Sequence, residues 1–291
     1  DAAELMYGMF SSMMLKGLDA KGLVDELRAR MREELDYRLE ARNAIEFAEL
    51  FAGHPWVRVP RVIDELSGEK VLTTEWVDGM SFDEFRNHAS QDTKQRAGEV
   101  IWRFAQYAVI RQGVFNGDPH PGNYIFHHDG SVTFLDYGLV KRWSPGEWET
   151  LYPTLDAVIV HRDPEMLVAA MERSGFLRSN HGLDPAHVFD YVSSPYVPYL
   201  TDEFTFTRQW MIDTIAKIFD VQGPHADVIE HLNMPPSFVI LDRVVWGVNA
   251  ILGKLEVGGP FRAMLLEYVA GGEPATDLGA AEAAWRAGAR P

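Results

Sequence analysis

The chain contains no cysteine among its 291 residues, which excludes disulfides, thiol nucleophiles and thiolate metal sites. It has no signal peptide and no uncharged apolar run of about 18 residues, so the sequence predicts no membrane-spanning segment. Basic residues are few: 27 Lys and Arg stand against 43 Asp and Glu, a formal net charge of −16. This charge argues against nucleic-acid binding and against electrostatic attraction to anionic lipid. We expect a cytoplasmic protein, with a local apolar contact at the inner face of a membrane left open.

The most informative stretch is residues 115–141, where two β-favouring runs flank an Asp-Gly turn. Such a pattern is a strong signal for a short β-hairpin. A tight hairpin brings its outer ends together, so Asn123 before the first strand should meet Asp136 after the second. An amide and a carboxylate oxygen suit Mg²⁺, which keeps several waters and usually takes only one or two protein carboxylates. The sequence therefore predicts Mg²⁺ ligands at Asn123 and Asp136.

Asp118 lies five residues before Asn123, on the same loop but off the strand. An Asp-x-x-x-x-Asn loop followed by Asp-aromatic-Gly is the layout of a kinase catalytic loop and metal motif, and here Asp-Tyr-Gly occupies 136–138. Asp118 is thus the candidate base or water-positioning group. His120 occupies the place where many protein kinases carry a lysine near the transferred phosphate. The predicted cofactors are ATP and Mg²⁺. The alternative interpretation of this stretch is a purely structural one, an Asp-Pro turn followed by an edge hairpin.

The remaining sequence predicts an α+β protein kinase-like fold. A long helical pattern covers 19–51, and strand-like runs follow at 57–60, 62–66 and 71–77. Glu75 and Val77 would form the hinge, whose backbone could hydrogen-bond an adenine. We expect an incomplete small N-lobe at 1–78, with a helix plus short antiparallel strands, and a large mainly α-helical C-lobe at 79–270. Residues 271–291, rich in Gly, Ala and Pro, are expected to form a flexible tail.

Local signals mark where several helices begin. A capping box at Ser81 and Glu84 opens one helix. Pairs of an N-cap residue and proline at 144–145, 163–164 and 184–185 are expected to open three more. Further helical patterns cover 207–219, 237–255 and 260–270.

With these motifs in view, the sequence resembles the UbiB/AarF/ADCK family of atypical kinase-like proteins over most of its length. Residues 34–43 resemble the family's Glu-x-Asp signature and the Glu-Ala-x-Asn that follows it. Residues 118–123 match its Asp-Pro-His-Pro-Gly-Asn loop, 136–138 match its metal motif, and 235–243 are more loosely similar to a C-terminal segment. One departure is Asn-Gly at 116–117, where many members carry His-Ala, and it is expected to alter the support of the loop.

The resemblance implies roles for three more residues. Glu40 would pair with the ATP-binding lysine, and Glu34 and Asp36 would belong to an acidic motif that faces the active site. In the family, that motif is preceded by a Lys-x-Gly-Gln segment, a Gly- or Ala-rich phosphate loop and a Val-Ala-Val-Lys-type strand, none of which occurs in this sequence. The resemblance therefore implies that the N-terminal nucleotide-binding part is missing here. We expect this chain alone to bind nucleotide weakly or not at all.

Three functional hypotheses follow. The first is an ATPase or a small-molecule or lipid kinase supporting isoprenoid quinone metabolism, such as ubiquinone biosynthesis, or other lipid metabolism. For it the resemblance implies a lipid or isoprenoid partner and peripheral contact with a membrane or biosynthetic complex. The second is an aminoglycoside- or choline-kinase-like phosphotransferase, which shares Gly-Asp-x-His-x-x-Asn at 117–123 but commonly carries Asp-Trp at the metal motif. The third, which is not enzymatic, is a nucleotide-gated lipid-binding scaffold.

Overall fold

The computed structural model describes residues 37–233 and 236–288, with side chains described outside 236–239. Two residues singled out from the sequence, Glu34 and Asp36, lie outside these ranges. The described α-helices are α1 (Tyr37–Leu50), α2 (Phe82–His88), α3 (Gln91–Gln106), α4 (Glu147–Leu155), α5 (Pro164–Ser174), α6 (Pro185–Val192), α7 (Arg208–Phe219), α8 (Ala226–His231), α9 (Pro236–Leu255), α10 (Phe261–Val269) and α11 (Asp277–Gly288). The described strands are β1 (Val57–Arg58), β2 (Val114–Asn116), β3 (Tyr124–Phe126), β4 (Val132–Phe134), β5 (Val140–Arg142), β6 (Phe204–Thr205) and β7 (Gly258–Gly259).

Most of the predicted helix starts are confirmed. The Ser81 side chain accepts from the Glu84 N–H, and the Glu84 carboxylate accepts from the Ser81 N–H, which completes the capping box. Asp163 and Asp184 cap α5 and α6 with proline in the first turn. The predicted cap at Ser144 is wrong. Helix α4 begins at Glu147 after a glycine with positive φ, and the Glu147 carboxylate instead accepts from the Ser144 N–H at 2.7 Å.

The predicted N-lobe strands are only partly formed. Residues 62–74 fold back through two isolated antiparallel pairs, Val62 with Thr74 and Gly68 with Val71, rather than a continuous ladder. Asp64–Leu66, predicted as strand, is a 3₁₀ turn. The start of α1 contacts this segment, because the Tyr37 N–H donates to the Glu69 carbonyl at 3.1 Å.

Strand β1 belongs to a different sheet from the one expected. Val57 and Arg58 pair with β4 in parallel register, and β4 pairs with β3 in antiparallel register. The result is a three-stranded sheet in the order β1-β4-β3. Val57 is buried there, because β4 offers it an apolar edge that residues 62–74 cannot.

Helix α3 packs against this sheet at β4. Its face, which includes Val100, Ile101 and Phe104, is buried in the core. The Phe104 ring stacks on Phe134 of β4, with centroids 3.7 Å apart and planes 12° apart. Since burying such a side chain contributes roughly 1.5–3 kcal/mol, this contact anchors the hairpin to the helical lobe. Among the described residues, no helix is both long enough and apolar enough to cross a membrane.

The expectation of a flexible tail at 271–291 is wrong for its central part. Asp277–Gly288 is a helix that packs on the rest of the protein. Its Trp285 stacks on Phe51 at 6.2 Å and donates from Nε1 to the Ala52 carbonyl at 2.8 Å. Alanine, one of the residue types on which the prediction of a flexible tail was based, has the highest intrinsic helix propensity. The buried Glu282 also contacts the rest of the protein, where it accepts from the Tyr268 hydroxyl at 2.7 Å.

Candidate nucleotide and metal site

The hairpin forms at the predicted place and sets the geometry of the site. Strands β3 and β4 pair with Tyr124 opposite Phe134. One step outward, the Leu135 N–H donates to the Asn123 carbonyl at 2.9 Å, so pairing continues to the end of the ribbon. Asp136 follows directly. Asn123 and Asp136 therefore leave the same end of the hairpin, as the sequence predicts.

Asn116 joins the two loops that carry the candidate residues. Its Nδ2 donates to the Asp136 carbonyl at 2.5 Å, and its Oδ1 accepts from the Asp118 N–H at 2.9 Å. Asn116 ends β2, which pairs with β5 just beyond the metal motif. Asn116, one of the two residues that depart from the family pattern, thus holds both loops, and whether this support differs from that of His-Ala stays a prediction. Its role was missed because it depends on contacts across 20 residues of chain.

The Asp118 carboxylate is held on both oxygens and stays partly open to solvent. Oδ2 accepts from Asn123 Nδ2 at 3.3 Å, and Oδ1 accepts from Arg243 Nη2 at 2.5 Å. The side chain is 32% exposed, so the carboxylate is not sealed away from an acceptor. Arg243 comes from α9 and ends the segment 235–243 that resembles the family, but the sequence gives no signal that its side chain reaches Asp118.

His120 is turned back on its own loop. Its Nδ1 accepts from the Gly122 N–H at 3.1 Å, and the residue caps the 3₁₀ turn Pro121–Asn123. A ring that acted as a cation toward phosphate would lose this acceptor nitrogen. Its predicted place beside the transferred phosphate stays a prediction.

The metal motif is tied to α1. Tyr137 is buried, its ring lies 4.9 Å from Phe47, and its carbonyl accepts from Asn43 Nδ2 at 2.9 Å. The Asp136 carboxylate accepts from the Gly138 N–H at 2.9 Å, which fixes its direction. A helix with two anchors on this motif holds Glu40 beside it.

Glu40 and Asp136 lie on the same side of Gly138. A Cβ at Gly138 would be 3.3 Å from Asp136 Oδ1 and 3.9 Å from Glu40 Oε2. Burial raises the pKa of the Glu40 carboxyl, the charge of Asp136 raises this pKa further, and the Tyr137 N–H lowers it by donating to the carboxylate. The two acids thus create negative potential at the metal motif.

This donor set fits a divalent cation. With Asn123 Nδ2 turned to Asp118, the amide leaves Oδ1 as a ligand, and Asp136 supplies a carboxylate oxygen. The mutual repulsion of Glu40 and Asp136 is what a cation would relieve. Within 37–233 and 236–288, no three His, Asp or Glu side chains converge as a metal cluster. The remaining ligands of a Mg²⁺ ion here would therefore be water and phosphate oxygens.

A family model for the ABC1 atypical kinase-like domain matches residues 2–171, which contain every one of these loops. The chain belongs to the ABC1 atypical kinase-like family. This confirms the resemblance to UbiB, AarF and ADCK proteins and makes the protein kinase-like.

Individual relatives agree with that assignment. This chain is 36% identical over 183 residues to the chloroplastic protein ACTIVITY OF BC1 COMPLEX KINASE 1 of Arabidopsis thaliana, a match that covers 60% of the chain and 26% of the relative. It is 29% identical over 229 residues to ACTIVITY OF BC1 COMPLEX KINASE 3, covering 77% of this chain and 30% of that protein. The chain thus spans less than a third of the length of these two relatives.

A solved structure confirms the kinase-like α+β class. The complex of Rv3197 with erythromycin, from Mycobacterium tuberculosis, superposes with a TM-score of 0.73 at 29% identity. The match covers 89% of this chain and 64% of the solved one.

The candidate hinge of the ABC1 domain has one backbone donor already in use. The Glu75 N–H donates to the Arg61 carbonyl at 2.9 Å, so it cannot serve an adenine in this arrangement. Val77 has no backbone partner for its N–H among the described hydrogen bonds, and it lies next to Trp76, whose side chain is exposed. Val77 is the better of the two predicted adenine contacts, and both stay predictions.

Helix α9 packs against the loop at 117–123 of the ABC1 domain, which carries Asp118 and Asn123. A Cβ at Gly247 would lie 2.3 Å from Pro119 Cγ and 3.0 Å from the Pro119 carbonyl oxygen. A Cβ at Gly117 would meet Leu139 at 2.9 Å and Ile240 at 3.1 Å. The loop therefore approaches the helix closely only because glycine stands at both contact points.

Replacement of Gly247 by alanine is expected to lower the free energy of unfolding by about 1–3 kcal/mol, because the new methyl group would push the Pro119 backbone off α9. Urea denaturation followed by circular dichroism measures this change. Gly288→Ala is the matched control, since no atom lies within 4 Å of its Cβ position. Equal stability of the Gly247 and Gly288 variants would show that the loop does not rest on the helix.

Proposed function

We propose that this ABC1 domain is the catalytic part of a Mg²⁺-dependent, ATP-binding atypical kinase, acting as an ATPase or as a small-molecule or lipid kinase. The observation that carries the proposal is the convergence of Asp118, Asn123 and Asp136 at one end of a hairpin, with Asn116 bonded to both loops. An isolated Asp-Pro turn would not need a side chain that bonds the backbone of Asp118 and the backbone of Asp136 at once.

Each residue would have a distinct task. Asn123 and Asp136 would hold the ion, which when bound neutralises phosphate charge and orients the nucleotide. Asp118, fixed by the Asn123 amide, would orient the acceptor hydroxyl or water and take its proton. Glu40 would stand ready for a lysine from the nucleotide-binding part of the N-lobe, the ion pair that active kinases use.

Nucleotide titration tests the proposal. The full-length protein should bind Mg-ATP and hydrolyse or transfer its terminal phosphate, and EDTA should abolish both activities. The chain of 291 residues alone should bind Mg-ATP weakly, since its sequence holds no phosphate loop and no Val-Ala-Val-Lys-type strand. Low-micromolar affinity for the chain alone would show that the phosphate contacts lie within these residues. Absence of Mg-ATP binding by the full-length protein would overturn the function itself.

For the acceptor, we propose an isoprenoid or lipid-like small molecule in quinone or lipid metabolism, met at a membrane surface or in a biosynthetic complex. Family membership supports this class, and the relative solved with erythromycin supports a bulky amphipathic ligand. A transfer assay with radiolabelled ATP should compare isoprenoid phenols, erythromycin, aminoglycosides and amino alcohols. Transfer to the last two alone would favour the aminoglycoside- or choline-kinase alternative.

A further inference from the structure

We infer that Arg243 is a catalytic residue of this site, which contacts the phosphoryl group in transfer while it holds Asp118. This inference rests on the proposed function and adds to it a cation that arrives from the opposite end of the sequence. Its starting point is the ion pair between Arg243 Nη2 and Asp118 Oδ1 at 2.5 Å, which joins residues 125 positions apart.

The first step is the position of the guanidinium. Asp118 would aim the attacking oxygen at the terminal phosphorus, so the guanidinium bonded to its carboxylate lies next to the group that orients the acceptor. Of the two carboxylate oxygens, one takes Arg243 and the other takes the Asn123 amide. Arg243 therefore lies on the side of Asp118 where the phosphoryl acceptor would bind, and Asn123 lies on the side of the metal motif.

The second step concerns the hydrogen-bond donors that the Arg243 guanidinium can offer to a ligand. A guanidinium carries five N–H groups in a planar fork, and the bond to Asp118 uses a single one. The Arg243 side chain is 50% exposed, so its other N–H groups are open to a ligand. Phosphate oxygens are matched to this fork, and arginine is the usual cation that stabilises charge on a transferring phosphoryl group.

The third step is the orientation of α9, which carries Arg243. The contact of Gly247 with Pro119, one turn further along the helix, fixes this face of α9 against the catalytic loop. A purely structural salt bridge on an exposed surface contributes little, typically about 0–1 kcal/mol. Close packing of helix on loop gives the pair a defined place, as a reacting group requires.

The fourth step concerns His120, the other candidate for this role. Its ring nitrogen caps the loop by accepting from the Gly122 N–H. The position that would hold the phosphate-contacting lysine of a protein kinase is thus used for loop structure. Arg243 supplies the positive charge from a different element.

The chemical step balances with these groups. The acceptor oxygen forms a bond to the terminal phosphorus, the bond from that phosphorus to the ADP oxygen breaks, and ADP leaves with the electron pair. The acceptor proton passes to the Asp118 carboxylate, and the remaining N–H groups of Arg243 bond the phosphoryl oxygens throughout. With water as acceptor the product is inorganic phosphate.

Binding of a phosphoryl mimic tests this inference without relying on turnover. In the full-length protein, aluminium fluoride should tighten the binding of Mg-ADP, because it occupies the place of the transferring group. Arg243→Gln should leave Mg-ADP affinity within about twofold and reduce the tightening by at least about 100-fold, in line with the rate effect of catalytic arginines. Arg58→Gln is the matched control. It also breaks a half-exposed Arg–Asp pair, with Asp129, but at the turn end of the hairpin.

A double variant separates contact from positioning. If Arg243 acted only by holding Asp118, Arg243→Gln would cause no further loss of tightening in an Asp118→Asn background, and that result would overturn the inference. Unchanged tightening in Arg243→Gln alone, or wild-type protein that binds Mg-ADP without any tightening, would also overturn it. Failure of the wild-type protein to bind Mg-ADP at all would instead remove the proposed function, and the inference with it.

Discussion

Replacement of Asp136 by asparagine is expected to reduce Mg²⁺-dependent ATP turnover of the full-length protein by about 10²–10³-fold. The substitution keeps the shape of the side chain and an oxygen to accept from the Gly138 N–H. It removes the charge that would hold the ion, beside a glutamate that would then face an uncharged neighbour. Steady-state hydrolysis at several Mg²⁺ concentrations measures the effect, which should appear as a weaker Mg²⁺ dependence as well as a lower rate.

Asp129→Asn provides the matched control for that experiment. Asp129 sits at the turn end of the same hairpin, where it accepts from the Ser131 N–H and hydroxyl, contacts that asparagine can retain. We expect the ATP turnover of Asp129→Asn to stay within about twofold of the wild-type value, because surface substitutions usually have small effects. Full activity in Asp136→Asn would remove this residue from the metal site. If Asp136→Asn loses ATP hydrolysis but still recruits a lipid or partner, the result favours the hypothesis of a nucleotide-gated scaffold.

Replacement of Arg103 by methionine is expected to lower the free energy of unfolding at neutral pH by about 3–5 kcal/mol. Arg103 is buried and bonded to Glu267 through both terminal nitrogens, at 2.8 and 3.0 Å, and through Nε to Glu99 at 2.7 Å. Glu282 of α11 lies 3.5 Å away and also accepts from the Tyr268 hydroxyl. Without the arginine, the buried Glu267 carboxylate would lose this cation, and Glu282 would keep only the cation of Arg286, whose Nε lies 3.6 Å from its Oε1.

The pH dependence of that loss has a definite sign. Burial already raises the pKa of the Glu282 carboxyl, while Arg103 lowers it. Removal of the arginine should raise this pKa further, so the stability of the variant should fall as pH rises through the folded-state pKa of its carboxyls. The difference from wild type should therefore be larger at pH 8 than at pH 5, as measured by urea unfolding at both values.

Arg86→Met is the control for the buried network. Arg86 forms an ion pair with Asp83 at the surface, three residues away on α2. Its removal should change the unfolding free energy by less than about 1 kcal/mol, because exposed pairs contribute little. An equally small effect of Arg103→Met would mean that α11 docks through Trp285 alone.

Several features of the site follow from neighbouring residues, and for this reason the sequence predicts them. The Asp-Gly turn between β-favouring runs specifies the hairpin, whose register brings Asn123 and Asp136 to one end. The caps at Ser81 and Asp163 are likewise local, since each side chain bonds a backbone group within the next turn. The kinase-like class is confirmed by family and structure, whereas the tasks of Asp118, Asn123 and Asp136 stay predictions.

Two other predictions are wrong, because amino-acid composition does not show which surface a segment will pack against. The Ala-rich segment predicted as a flexible tail is a helix, since Phe51 and Arg103 receive its Trp285 and Glu282. The run at 57–60 is predicted among the short antiparallel strands of the N-lobe, but Val57 and Arg58 pair in parallel with β4. In both cases contacts with residues distant in sequence decide where the segment packs.

By itself, the sequence determined the hairpin, most helix starts and the membership of the kinase-like family, because these depend on residues close together in the chain. Only the tertiary structure decided which groups surround the Asp118 carboxylate. Arg243 reaches Asp118 across 125 residues, and Asn116 joins two loops through a single amide. Helical periodicity specifies that α9 has a buried face, but the packing against Pro119 and α3 selects which of its side chains point into the site.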